Sequence, residues 1–237
     1  MIAFVPAKST SVRIPDKNIR LLAGHPLMAY SIASAIDSGL FSSVIVSTDS
    51  EKYAEIARHY GAQVPFLRPN QLAGRYSTDY EWVFFTLRRL WDDYERPDSF
   101  AILRPTSPFR TADTITRGWH QFRDDRRADS LRAVQPVREH PGKMWRVNGN
   151  RMVPILPYEF GGTPWHSHQT QSLPAVYVQN ASLEMAWTAT VWATKTISGN
   201  VVAPFLTEGY EGLDINSEDD WQIVEALIDN GAELPSV

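Results

Sequence analysis

Short apolar runs separated by helix-length amphipathic segments fill the first half of this chain, and few folds accommodate that pattern. Ile2–Val5, SSVIVSTDS and SFAILRP are continuous apolar stretches, β-branched or aromatic in character and too short for helices. Between them lie LMAYSIASAIDSG, closed by Gly39, and EKYAEIARHYG, with Glu51 and Glu55 early, Arg58 late and Gly61 at the stop. Acids at the start, a base near the end and a terminal glycine are the marks of helix boundaries. QVPFLRP reads as a short strand or extended segment, and DYEWVFFTLRRLWDDY as a strongly apolar amphipathic helix. Strands buried on both faces and joined by helices predict βαβ units and a mostly parallel sheet. Ligands of such sheets bind beyond the carboxyl ends of the strands. Here those ends carry PAKSTSVR, STDS and RPTSPFR.

The second half changes character. TADTITRGWHQFRDD predicts a further helix and SLRAVQPV a strand. From Arg138 to Pro174 the chain is rich in Pro, Gly, His, Trp and Asn with weak periodicity. A structureless loop of that length is unusual inside a compact domain, so residues 138–174 are expected to form an inserted, hairpin-like lobe that contacts a second subunit. Trp145 and Trp165 are its candidate contact residues. PAVYVQNASLEMAW is read as strand then helix, NVVAPFLT as a late strand and DINSEDDWQIVEALIDNG as a terminal helix. Ser217 followed by Glu218, Asp219 and Asp220 makes an acidic helix start.

Bulk properties bound the function. A chain of 237 residues supports one domain, 1–237, with an appendage rather than two full domains. The net charge of -4 offers no global basic field for nucleic acid, so any anion site must be a local cluster. The absence of cysteine excludes disulfides, zinc–thiolate sites and cysteine nucleophiles. With no leader pattern and no run of membrane-spanning length, a soluble cytoplasmic protein with no membrane partner is expected.

One local cluster stands out. Lys8, Arg13 and Lys17 follow the first strand, interleaved with Ser9, Thr10 and Ser11, and Pro15 stiffens the turn before Lys17 and Asn18. At the mouth of a parallel sheet, hydroxyls and backbone N–H groups solvate a polyphosphate while cations neutralise it. A solvated charged loop is the plain alternative. Neither the P-loop pattern nor G-x-G-x-x-G is present, which removes the usual nucleotide loops and an NAD-dependent oxidoreductase.

PAKSTSVRIPDKNIRLLAGHPLMAYSI resembles the N-terminal signature of the CMP-sialic acid synthetase (acylneuraminate cytidylyltransferase) family. VIVSTDS, FLRPNQLAG with a later Ser-Thr-Asp, LRPTSPFRT, EHPGK, the Asn180 region and LDINSEDDW follow in the family's order, so the likeness spans essentially the whole chain. The resemblance implies a Rossmann-like, three-layer α/β fold of the nucleotide-diphospho-sugar transferase type, with an inserted dimerisation lobe. It implies transfer of CMP from CTP to an acidic acceptor with release of pyrophosphate, Mg²⁺ as cofactor, and a homodimer. By the same resemblance Lys8, Ser11, Arg13, Lys17 and Asn18 hold the triphosphate, with Lys17, Arg13 and Asp214 closest to the chemistry. Arg68 lies near the nucleotide, and Arg75, Ser77 and Thr78 lie in the loop bordering base and ribose, Ser77 being the expected contact.

The family's late Asp-x-Asp motif is Asp214-Ile215-Asn216 here. Asp214 is the expected metal ligand; Asn216 keeps an oxygen donor without the charge, and either it or Ser217 would alternatively cap the last helix. The acceptor side departs further from the family: Arg104 replaces a glutamine, Val178 an arginine and Glu184 a tyrosine, while Lys143 and Asn180 match. An arginine beside the reacting centre suits a compact dianion, so a phosphonate or other small acid rivals a nine-carbon sugar acid as acceptor. Equally, Arg104 would be a structural ion pair, for which Asp49 is the candidate partner. His166 and His168 lack a third ligand for a metal, and His140 is expected to shape the lobe's entry or the acceptor pocket rather than act as a base. Asn216 gives weight to an alternative in which the fold persists as a catalytically weak nucleotide-binding regulatory module.

Overall fold

The computed structural model describes residues 1–11, 13–74 and 76–237. Arg75 therefore lies outside the described residues. The chain divides into two compact units, one of residues 1–133 with 180–237 and the other of residues 134–179.

The larger unit is built on a six-stranded sheet: β1 (Ile2–Pro6), β2 (Ser43–Ser47), β3 (Ser99–Ile102), β4 (Ser130–Pro136), β5 (Tyr177–Trp187) and β6 (Val202–Leu206). Their order across the sheet is β6-β4-β5-β3-β1-β2. β1 pairs in parallel with both β2 and β3, whereas β5 runs antiparallel to β3 with Glu184 opposite Ile102. The helices are α1 (Leu27–Asp37), α2 (Glu51–His59), α3 (Asp79–Asp93), α4 (Ala112–Asp124), α5 (Thr188–Thr194) and α6 (Glu218–Asp229).

Successive strand residues point to opposite faces, and the core follows that rule. Ala3, Val5, Val44 and Val46 pack with Met28, Ile32, Tyr53, Phe122 and Leu183 in one apolar layer. Ile2, Phe4, Ile45 and Ile102 pack with Trp82, Val83, Leu87 and Val191 in the other. The sheet is thus sandwiched by α1, α2 and α4 on one side and by α3 and α5 on the other, the three-layer architecture that the strand–helix alternation predicts. A third cluster seats α6 against the chain after β1, through Ile14, Leu22, Leu27, Ile215 and Trp221.

One element differs from the sequence reading. LEMAW continues β5 up to Trp187 instead of turning helical, and the helix starts only at Thr188. The reason is position: β5 lies inside the sheet between β4 and β3, so Leu183 to Ala186 are buried on both faces and lose the alternation that marks a strand.

In the smaller unit, Trp145–Asn148 and Arg151–Pro154 form an antiparallel hairpin, and Glu159–Phe160 pairs with Thr163–Pro164. The second pair is closed by Gly161 and Gly162, both at positive φ (60° and 77°), as the tight two-residue turn requires. His140 accepts the Gly142 N–H on Nδ1 and so donates from Nε2 to the Pro174 carbonyl, both at 3.0 Å. Among the described residues no helix is long and apolar enough to cross a membrane.

Candidate active site

Side chains of the opening segment tie the loop after β1 to the loop after β2 and to the stretch before α3. Ser9 donates both its N–H and its Oγ to the Asp49 carboxylate at 2.8 Å, joining the loops after β1 and β2. The Lys8 Nζ reaches the Gly74 carbonyl at 3.2 Å, and Thr10 Oγ1 reaches that of Ala73 at 2.8 Å. Asn18 is buried and donates to the Lys8 carbonyl at 3.0 Å, folding the loop back on itself. Asp16 adopts the left-handed region (φ 51°) and accepts from Tyr53 Oη at 2.9 Å; burial, then this bond and the nearby Asp16 and Asp49 charges, push the phenol pKa up. Small hydroxyl and amide residues hold this loop's shape, the role glycines fill in phosphate-binding loops.

Lys17 closes the site on its far side. Its Nζ donates to the Ile215 carbonyl at 2.6 Å, while the Ile215 N–H donates to the Thr106 carbonyl at 2.9 Å. The loops after β1 and β3 therefore meet at the Asp214–Asn216 segment. Burial lowers the Lys17 pKa and Arg13 adds to that, against the raising influence of Asp214 and Asp220. Arg13 itself is exposed.

Asp214 has a divided carboxylate. Oδ2 accepts from the Asn216 side-chain amide, but Oδ1 is buried with no hydrogen-bond partner. A buried, orphaned carboxylate oxygen beside a cationic loop suits a hard cation, and the donor set fits Mg²⁺ in chemistry. Asn216 has turned its nitrogen to Asp214, so its oxygen is the atom that could face a cation. Neither residue caps α6: Ser217 does, through a reciprocal capping box with Asp220. Asp220 also accepts the N–H of Asn216 at 2.8 Å, so that acid orders the helix start.

Arg104 and Glu184 form a charge network with Asp79, the first residue of α3, and Arg132. Arg104, just past β3, donates from Nε and Nη2 to Glu184 Oε1 (3.0 and 2.6 Å) and from Nη2 to Asp79 Oδ2 (2.6 Å). Glu184 Oε2 takes Arg132, which also donates to Ser198 Oγ at 2.7 Å. Arg104 is thus an ion pair, but its partners are Asp79 and Glu184; the Asp49 suggested by sequence is engaged by Ser9. Burial works against the Arg104 charge, and the two carboxylates outweigh it and raise its pKa. Burial likewise pushes the Asp79 carboxyl up, but Arg104 and the Trp82 indole hold it below its ordinary value.

The remaining expected site residues sit in supporting positions. Arg68 is buried, donates to Ser47 Oγ and to the Ser47 carbonyl (both 3.0 Å), and lies 4.6 Å from the Trp82 ring; burial lowers its pKa to about 10. Ser77 Oγ donates to the Gln71 carbonyl at 3.0 Å, and Thr78 caps α3. Asn180 donates to Thr207 Oγ1 and accepts the Ser182 N–H. In the smaller unit, the Lys143 ammonium is held by the carbonyls of His166 and His168.

Sequence reasoning missed two arginines. Arg132 faces the α3 side of the sheet between the buried Leu131 and Ala133, where it meets the buried Glu184. Arg110 is fully buried with no carboxylate partner among the described residues, and donates to the Ser182 and Arg104 carbonyls (2.6 and 3.2 Å).

A three-layer α/β sheet with a cationic loop at its carboxyl edge, and one aspartate oxygen buried there without a partner, fits a nucleotidyltransferase. Comparison with known proteins agrees. A cytidylyltransferase family model matches residues 2–89. The chain is 31% identical over 240 residues to the CMP-N,N'-diacetyllegionaminic acid synthase of Legionella pneumophila, covering 98% of each protein. It is 27% identical to an N-acylneuraminate cytidylyltransferase of Streptococcus agalactiae over 93% of this chain and 51% of that one, so it spans about half that relative's length. Among solved structures, CMP:2-keto-3-deoxy-manno-octonic acid synthetase with CTP superposes with a TM-score of 0.70 at 13% identity over 97% of this chain and 98% of that one, a likeness of fold. The chain belongs to the CMP-sialic acid synthetase (acylneuraminate cytidylyltransferase) family, and it is a CTP-dependent nucleotidyltransferase.

Proposed function

We propose that the protein transfers CMP from CTP to a sugar acid of the sialic or legionaminic type. An acceptor oxygen forms the new bond to the α-phosphorus as the α–β phosphoanhydride bond breaks and pyrophosphate leaves. Such chemistry depends chiefly on positioning and charge neutralisation. The observation that carries the reading is the junction of Lys17 with Ile215 beside the unpaired Asp214 Oδ1, which joins a triphosphate cradle to a metal ligand.

Lys8, Ser11, Arg13, Lys17 and Asn18 hold the triphosphate, with Arg68 and Ser77 shaping the nucleotide's border. Asp214 and Asn216 hold Mg²⁺, whose chemistry is to neutralise charge building on the phosphate oxygens. Arg104 and Asn180, both in the larger unit, belong to the acceptor side. The pairing of Arg104 with two carboxylates argues against a free cation waiting for a dianion, and so favours a sugar acid over a phosphonate. A homodimer formed through the smaller unit is consistent with the apolar hairpin face described below.

The test is pyrophosphate release from CTP and Mg²⁺ with a panel of sugar acids and phosphonates. Release with a sugar acid and not with a phosphonate is expected. CTP binding without release for any acceptor would overturn the reading in favour of a regulatory module.

A further inference from the structure

The Arg104 network holds a relationship that neither anion binding nor core packing requires. Arg104 and Arg132 face Asp79 and Glu184, so two cations balance two anions. The pairs are not equivalent in exposure. The side chains of Glu184 and Arg132 are 5% and 14% exposed, whereas those of Arg104 and Asp79 are 25% and 36% exposed. The inner pair is anchored to Ser198; the outer pair opens toward solvent at the carboxyl end of β3.

Location gives the outer pair its neighbours. β3 lies next to β1, which carries the triphosphate cradle. Two residues past Arg104, the Thr106 carbonyl takes the Ile215 N–H beside Asp214. Asp79 opens α3, directly after the loop that borders the nucleotide. The pair therefore lies alongside the proposed reaction centre, on the β3–β5 side.

Its hydrogen-bonding capacity is partly used. Among the described residues Arg104 spends Nε and Nη2 on Glu184 and Asp79, while Nη1 makes only a 3.4 Å contact to Asp79 Oδ1. A guanidinium nitrogen of this kind carries two N–H groups, so at least one points elsewhere. Asp79 receives Trp82 Nε1 at 2.9 Å and Arg104, which among the described residues leaves lone-pair positions open on its carboxylate. The outer edge thus presents a donor beside an acceptor with no net charge.

We propose, resting on the sugar-acid reading above, that Asp79 and Arg104 form a specificity site for a neutral group of the acceptor that both donates and accepts, a hydroxyl or an acylamino group. The acceptor's N–H or O–H donates to Asp79, and its oxygen accepts from Arg104 Nη1. Glu184 and Arg132 are positioning residues that hold Arg104 in this orientation. The acceptor's carboxylate is read elsewhere. An ionised aspartate at the edge of a site for two anions is otherwise unfavourable; a hydrogen-bonded acceptor group offsets that cost.

The experiment uses the full chain with saturating CTP and Mg²⁺. Steady-state constants are measured for the acceptor turned over and for analogues each lacking one hydroxyl or acylamino group, in wild type, D79N and R104Q. D79N retains an oxygen for Trp82, and R104Q leaves Glu184 paired with Arg132. The KM for acceptor should rise about tenfold or more in D79N with the KM for CTP unchanged, as loss of one buried hydrogen bond to a charged group predicts. At least one analogue should be penalised in wild type but not further penalised in D79N. If D79N does not fold, R104Q serves the same comparison. A D79N KM for acceptor that falls or stays constant would mean that Arg104 reads the acceptor's anion, and would overturn the inference. Equal penalties for every analogue in wild type and variants would also overturn it. Wild type inactive on every sugar acid instead removes the underlying reading, and the inference with it.

Discussion

The Lys17 ammonium lies 2.6 Å from the Ile215 carbonyl, across 198 residues of chain, and this contact brings the opening loop to the Asp214–Asn216 segment proposed to hold the metal. Replacing Lys17 with alanine removes both the tether and a cation facing the triphosphate. Turnover should fall on the order of 10²-fold or more, the range for removing one charge-stabilising group. Far-UV circular dichroism should remain native, because Lys17 supports no core cluster. Near-wild-type turnover would remove Lys17 from the cradle.

The same lysine predicts a pH limit. Burial lowers its pKa from 10.5, so the cation is lost, and activity with it, as pH rises through a value below 10.5. The sign for stability is opposite. Between the folded and unfolded values the unfolded chain binds more protons, so this group makes folding more favourable as pH rises. An alkaline fall in kcat with no loss of thermal stability in that window is expected. K17R should move the fall to higher pH; an unmoved limb would assign it to another group.

Metal dependence should follow Asp214 and Asn216 separately. D214A removes the buried Oδ1 and should abolish Mg²⁺-dependent pyrophosphate release. N216D restores a second carboxylate and should lower the Mg²⁺ concentration for half-maximal activity by on the order of tenfold. Titration of Mg²⁺ at fixed CTP measures both. An N216D curve that overlays wild type would place Asn216 outside the metal's reach.

Much of this arrangement was legible in the sequence, and what was not has identifiable causes. β1, β2 and β3 declare themselves because their apolar runs are bounded by loop residues, and the loops at their carboxyl ends hold the cations. LEMAW was misread as helix because a strand buried on both faces shows no alternation. The partners of Arg104 were not legible: Asp79 and Glu184 lie 25 and 80 residues away, and only the antiparallel register of β5 brings Glu184 opposite Ile102. Arg110 stood in a quoted motif, but nothing in its neighbours signals that it is buried beneath it.

Arg110 tests that hidden support. It is fully buried, with its pKa pushed down to about 9 by burial, and it satisfies the carbonyls of Ser182 and Arg104. R110M fills similar volume but removes the charged donor to the Ser182 carbonyl and the Ser31 hydroxyl, while the Arg104 carbonyl keeps Ser107 N–H and Ser31 Oγ; the loss should cost about 3 kcal/mol. For a chain of this size that corresponds to a fall of roughly 6–12 °C in Tm. A Tm within about 2 °C of wild type would mean that the Ser182 carbonyl finds another donor.

The smaller unit offers the test of assembly. In the hairpin of Trp145–Asn148 with Arg151–Pro154, Val147 opposes Met152 and Trp145 opposes Pro154. Residues two apart share a face, so Trp145, Val147, Met152 and Pro154 form one apolar side, while Arg146, Asn148 and Arg151 lie with Val153 on the other. Val147 is 69% exposed and Met152 56% exposed, and apolar surface so presented is characteristic of a protein interface. If the homodimer forms through this face, a carboxylate at its centre must be desolvated on association, a cost that a dimer interface rarely tolerates. V147D should therefore run as a monomer by light scattering at concentrations where wild type is a dimer. V153D, on the opposite side of the same hairpin, should leave the mass unchanged. Equal masses for wild type and V147D would assign the contact to another surface, and a V153D monomer would assign it to the hairpin's other face.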